Sequence, residues 1–156
     1  MDDSVRRLLE NADDPEGWEV PQNDWKTFPY KDRIADIVDI QDRLRTDFTL
    51  EMKRDGNVQD ASFIDELTVL EEVPGEQNTY ITRLSIRFSN FGKLFTIYSC
   101  LDPIPTEYPM ADMIALVESF GWNYVSADAL DEQYDGANIS IRKQGCSWWI
   151  RFFDYL

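Results

Sequence analysis

The sequence predicts an α+β fold: an antiparallel sheet of about six strands, arranged as a four-strand meander, a helix and two closing strands, with helices packed on one face. Three observations predict it. Apolar residues recur at three-and-four spacing over 31–45 and 110–120, the period of a helix with one buried side. Elsewhere the spacing switches to two, the period of a half-buried strand. The strand-type runs are grouped and do not alternate singly with helices, which separates α+β from a parallel α/β sheet.

Each element has its own signal. Ser4 is an expected N-cap for a short helix with Val5, Leu8 and Leu9 on its apolar side. Pro15, Gly17, Pro21 and Pro29 prevent a regular element over 13–30. Residues 1–30 are therefore expected as a short helix plus an aromatic, proline-rich arm whose Trp18, Trp25, Phe28 and Tyr30 pin it to the core. Lys31 to Arg45 reads as a helix with a stripe of Ile34, Ile37, Val38, Gln41 and Leu44.

The meander begins where Phe48, Leu50 and Met52 alternate with polar residues, and Asp55-Gly56-Asn57 supplies a hairpin turn. Its second strand is expected over 60–70, with Ala61, Phe63, Leu67 and Val69 in phase, and Pro74-Gly75 breaks the chain. Tyr80 to Ser89 is the third strand: Tyr80, Leu84, Ile86 and Phe88 face one way, Arg83, Ser85 and Arg87 the other. Asn90-Phe91-Gly92-Lys93 turns it into a fourth over 94–100, and Pro103 and Pro105 end the run. Pro109 suits the start of a helix with Met110, Met113, Ile114, Val117 and Phe120 inward, stopped by Gly121. A short turn or helix over 127–133 precedes two closing strands, 138–143 and 147–154, joined by Gln144-Gly145-Cys146.

A chain of 156 residues has the size of one domain, so 1–156 is read as a single α+β unit. At 43% hydrophobic and 13% aromatic it has too much apolar surface to stay disordered. No stretch approaches the roughly 20 apolar residues needed to span a bilayer. Met1-Asp2-Asp3-Ser4 lacks the features of a signal peptide, and Cys100 and Cys146 are too few for a disulfide framework. A cytoplasmic protein is the expectation.

The formal charge is −15, from 30 acidic and 15 basic side chains. Residues 1–78 hold 21 acidic and 9 basic groups, and residues 79–156 hold 9 and 6, so the first half carries the field. Such a charge opposes nucleic acid and anionic membranes and favours solubility and basic partners.

The chain contains no histidine, which removes Ser-His-Asp and Cys-His catalysis and histidine-ligated metals. Two cysteines cannot complete a structural zinc site, and no glycine-rich phosphate loop is present. Asp128, Asp131, Glu132 and Asp135 crowd together, but their spacing is not that of a calcium loop, and a solvated acidic loop is expected there and at Asp13-Asp14. Neither cysteine has the sequence setting of a reactive thiol. No catalytic residue, metal or cofactor is assigned.

What remains is a surface. Lys53, Arg83, Arg87, Arg142 and Arg151 all fall on the phase opposite the apolar set of their expected strands. The last strand puts Trp149 and Phe153 beside Arg151 on that phase. A strand apolar on both phases is either covered twice or lies at an interface, and Trp, Tyr and Arg are enriched at binding hot spots. Arg83, Arg87, Arg142, Trp149, Arg151 and Phe153 are therefore the expected partner-binding residues. Cross-strand pairing with Glu51, Asp65 or Glu71, or cover by the N-terminal arm, is the structural alternative.

In size, charge and element order the chain resembles type III secretion chaperones and the immunity proteins that neutralise bacterial toxins. That resemblance carries no individual residue, and the four-strand run departs from the three-strand run expected of the chaperones. It implies a non-enzymatic protein-interaction domain, with a protein partner, basic by charge complementarity, or self-association through the sheet. A small-ligand binder or carboxylate-dependent hydrolase using an aromatic cleft is the alternative.

Overall fold

A computed structural model of the chain describes residues 1–17, 28–56, 65–75, 78–89, 91–101 and 104–154. Its elements in order are α1 (Asp3–Ala12), α2 (Tyr30–Phe48), β1 (Lys53–Gly56), β2 (Asp65–Glu72), β3 (Tyr80–Phe88) and β4 (Leu94–Tyr98). They are followed by α3 (Met110–Glu118), β5 (Asn123–Tyr124), α4 (Ala127–Leu130), α5 (Ile139–Gln144) and α6 (Trp148–Phe153). The expected α+β class and the four-strand antiparallel meander are both present, in the order β1-β2-β3-β4. A fifth strand, β5, adds to β4 in parallel after the α3 crossover, so the sheet is mixed.

Trp18, Trp25, Asn57, Ala61, Phe63, Asn90 and Pro103 lie outside the described residues, and with them most of the aromatic arm. Three local features differ from those expected. The N-cap of α1 is Asp2, not Ser4, because its carboxylate accepts from the backbone N–H groups of Ser4 and Val5. The inward stripe of α2 is Ile37, Ile40 and Leu44, while Ile34 and Val38 are exposed. Residues 48–52 do not form a strand: α2 runs through Phe48 and stops where Thr49 turns left-handed at φ 56°.

The two expected closing strands are helices. Asn138 caps α5 by accepting from Ser140 and Ile141, and Ser147 caps α6 by accepting from Ile150. Gly145, read as part of a hairpin, is the left-handed residue that ends α5, at φ 71°. Trp-Trp-Ile-Arg-Phe-Phe is apolar on almost every side, and a short apolar run has no period to distinguish a buried strand from a buried helix.

The helices also cover both faces, not one. Alternation along β4 sends Phe95 and Ile97 to one core and Leu94 to the other. The first core joins Ile37, Ile40 and Leu44 of α2 to Met113, Leu116 and Val117 of α3 over Leu67, Leu84, Ile86 and Phe88. The second joins Leu9 of α1 to Leu130, Ile141, Trp148, Phe152 and Phe153 over Phe91 and Leu94.

The second core closes on an ion pair. Arg151 Nε donates to Asp13 Oδ1 at 2.7 Å, with both side chains wholly buried. Asp13 Oδ2 accepts from the Tyr134 hydroxyl and from the Ala137 N–H, while Arg151 also donates to the Asp14 carbonyl. The solvated loop expected at Asp13 is thus a buried anchor. Asp14 caps its own turn, accepting from Glu16 and Gly17.

Removing one partner of a buried pair strands the other charge, which typically costs about 3–5 kcal/mol. R151A should lower stability by that order, read as a fall in the urea midpoint at unchanged slope. D13N/R151M should recover part of the loss.

Candidate functional site

Strand alternation on β3 directs Leu84, Ile86 and Phe88 into the first core, and Arg83, Ser85 and Arg87 to the other face. The register then assembles their neighbours. Glu66 of β2 and Thr96 of β4 stand on either side of Arg87, while Thr68 and Tyr98 flank Ser85. Above β4, α6 lowers Trp149 onto the same face. Its ring meets Tyr98 edge-on at 5.1 Å between centroids, and the Arg87 guanidinium lies 5.9 Å from it.

Glu66 anchors the polar floor by accepting from both the Ser85 and Tyr98 hydroxyls. Burial, reinforced by the Glu66 carboxylate, pushes the Tyr98 phenol up to about 12, so it remains a hydrogen-bond donor at neutral pH. Arg83 is held by two carboxylates, Glu71 at 2.5 Å and Glu107 at 2.7 Å. Arg87 differs. Its Nε is buried and without a hydrogen-bond partner among the described residues, as is the hydroxyl of Thr96 opposite.

The structure therefore brings Arg87 and Trp149 together, leaves Arg83 further along β3 in its own ion pairs with Glu71 and Glu107, and separates the other three expected residues. Arg151 and Phe153 are buried in the second core, because a helical α6 turns them inward where a strand would have shown them. Arg142 is exposed in the last turn of α5, near the helix terminus that favours a cation. Of the expected carboxylate partners, Glu71 takes Arg83, and Asp65 is buried against Arg54 at the sheet edge. Glu66, Thr96 and Tyr98 were missed. Their phase is visible within each strand, but their neighbours depend on a register that no single strand encodes.

The acidic run 128–136 holds α1 in place. Glu132 meets the Met1 amino group and Arg6, and Asp135 pairs with Arg6 at 2.6 Å. Among the described residues, no group of three or more His, Cys, Asp or Glu side chains could hold a metal ion. No described helix is long and apolar enough to cross a membrane. Known family models, curated proteins and solved structures contain no match to this chain.

Because Tyr98 is raised above its ordinary value of 10, the folded chain keeps a proton that the unfolded chain releases. That contribution is complete below pH 10 and is lost as pH rises toward 12. Wild type should lose more stability than Y98F over that interval, measured by urea unfolding at stepped pH. Equal slopes would show that Tyr98 is not held in this way.

Proposed function

We propose that this chain is a non-enzymatic protein-interaction domain, chaperone-like or immunity-like, that engages a protein partner at the sheet face bounded by β3 and α6. Arg87 carries the reading: a half-buried guanidinium beside Trp149 and Tyr98, with its Nε desolvated and without a partner among the described residues. A donor already stripped of water and held against an aromatic ring is prepared for an acceptor on another molecule. Arginine, tryptophan and tyrosine are also the side chains that dominate interface energetics.

The surrounding charge supports a partner that is basic overall. Arg6, Arg43, Arg45, Arg54, Arg83, Lys93 and Arg151 are all engaged in ion pairs within the chain. The field of a −15 molecule therefore steers cationic surfaces toward it, while Arg87 supplies a local contact of opposite sign. Glu66 is occupied by Ser85 and Tyr98, which suits holding a surface in shape more than transferring a proton.

The test is a comparison of wild type with R87E and W149A, using R142E as a surface control, in partner capture and in solution mass by light scattering. Loss of an interface hot spot corresponds to about 2 kcal/mol or more, roughly a thirtyfold fall in affinity. R87E and W149A should show that fall while R142E does not. Identical capture and identical mass in all four proteins would refute the reading.

A further inference from the structure

The N-terminal end of α2 gathers N–H donors for which the described residues provide no acceptor. Arg33 brings its guanidinium over two rings, 4.8 Å from the centroid of Phe28 and 5.4 Å from that of Trp122. Its Nε and Nη1 are buried and without a hydrogen-bond partner among the described residues. The indole Nε1 of Trp122 is in the same condition, on a side chain only 1% exposed. Lys93 brings a second cation to this indole, with Nζ 5.6 Å from the ring.

The charges nearby do not answer these donors. Asp36 is bound to Lys93 at 2.7 Å, and Lys93 also donates to the Phe120 carbonyl. Arg33, Lys93 and Asp36 together leave one positive charge, two cations less one carboxylate, on a chain of −15. Burial pulls the Arg33 pKa down, with Asp36 opposing it, yet a guanidinium does not give up its proton in a protein.

Flanking rings hold a guanidinium by its faces and leave its N–H edges unanswered. Buried donors in native proteins are nearly always matched, and an unmatched group points to a water or ion that completes it. Three such N–H donors on two side chains in contact, beside a lysine, define an oxyanion's environment. We infer that Arg33, Trp122 and Lys93 form a binding site for a small oxyanion, a phosphate or a carboxylate, distinct from the β3–α6 face. A neutral ligand leaves the excess positive charge uncompensated, and a metal cation is repelled by it.

The test is nuclear magnetic resonance of the uniformly ¹⁵N-labelled chain, titrated separately with inorganic phosphate and with acetate at constant ionic strength. One arginine Nε–H signal and one tryptophan indole N–H signal should move together and saturate. R33Q should remove the first signal and W122F the second. R33Q should also abolish the rise in Tm that the binding anion gives wild type, and R33K should weaken binding at least tenfold because it lacks the stacked plane. R43Q on the same helix and R87E on the other face should respond as wild type.

Saturation by phosphate alone, or by acetate alone, assigns the oxyanion. The wild-type titration stands by itself if R33Q does not fold. Silence to both anions, or shifts that grow linearly with salt across all arginines, would overturn the site.

Discussion

The ion pair between Asp13 and Arg151 joins the two ends of the chain, and the second core is assembled around it. Asp13 follows α1, and Arg151 lies in the last turn of α6. Their pairing draws both onto the sheet face opposite α2 and α3. Burying two charges carries a large desolvation penalty, offset only when every lone pair and proton is answered. Here Tyr134, the Ala137 N–H and the Asp14 carbonyl answer them, and Phe91 lies 4.3 Å beneath the guanidinium. The fit also dictates what is absent nearby: a Cβ on Gly136 would come within 2.5 Å of Asp13 Oδ2. Asn138 reinforces the closure by donating to the Gly17 carbonyl.

The sheet face inherits its shape from this closure. With α6 anchored by Arg151, Trp149 on its other side rests against Tyr98, and the helix covers β4. The polar side chains of β2 and β3 then lie beside an aromatic wall, where each hydrogen bond is worth more than in open water. Ser85 is fully buried there, and Tyr98 holds its proton firmly. The contrast between Arg83, held by two carboxylates, and Arg87, held by a ring, arises from neighbours brought by three different elements.

Arginine thus plays separate roles on this acidic chain. Arg151 is structural, and Arg83 is neutralised in place. Arg87 and Arg33 are oriented by aromatic rings and leave buried donors without acceptors among the described residues. A planar, permanently charged group that stacks as well as it hydrogen-bonds can be fixed by its faces while its edges stay available, which an ammonium cannot do.

The sequence by itself determined the α+β class, the helices α2 and α3, the strands β2 to β4, and the face of β3 that carries Arg83 and Arg87, while β1 lies at Lys53–Gly56, where Asp55-Gly56 reads as a turn. Each of these rests on a local period or a turn residue written in consecutive positions. The arrangement of the sheet face was legible only in part: the sequence placed Arg83 and Arg87 on one face of β3, while the approach of Trp149 to Arg87 and the neighbours Glu66, Thr96 and Tyr98 needed the packing of α6 and a register between strands. Only the tertiary structure decided that α5 and α6 are helices, since an apolar segment as short as Trp148–Phe153 has no period of its own and takes the form its surroundings cap and bury. The tertiary structure also decided that Asp13 lies inside, because an aspartate in a proline-rich stretch is read as solvated until an arginine 138 positions away is seen to reach it.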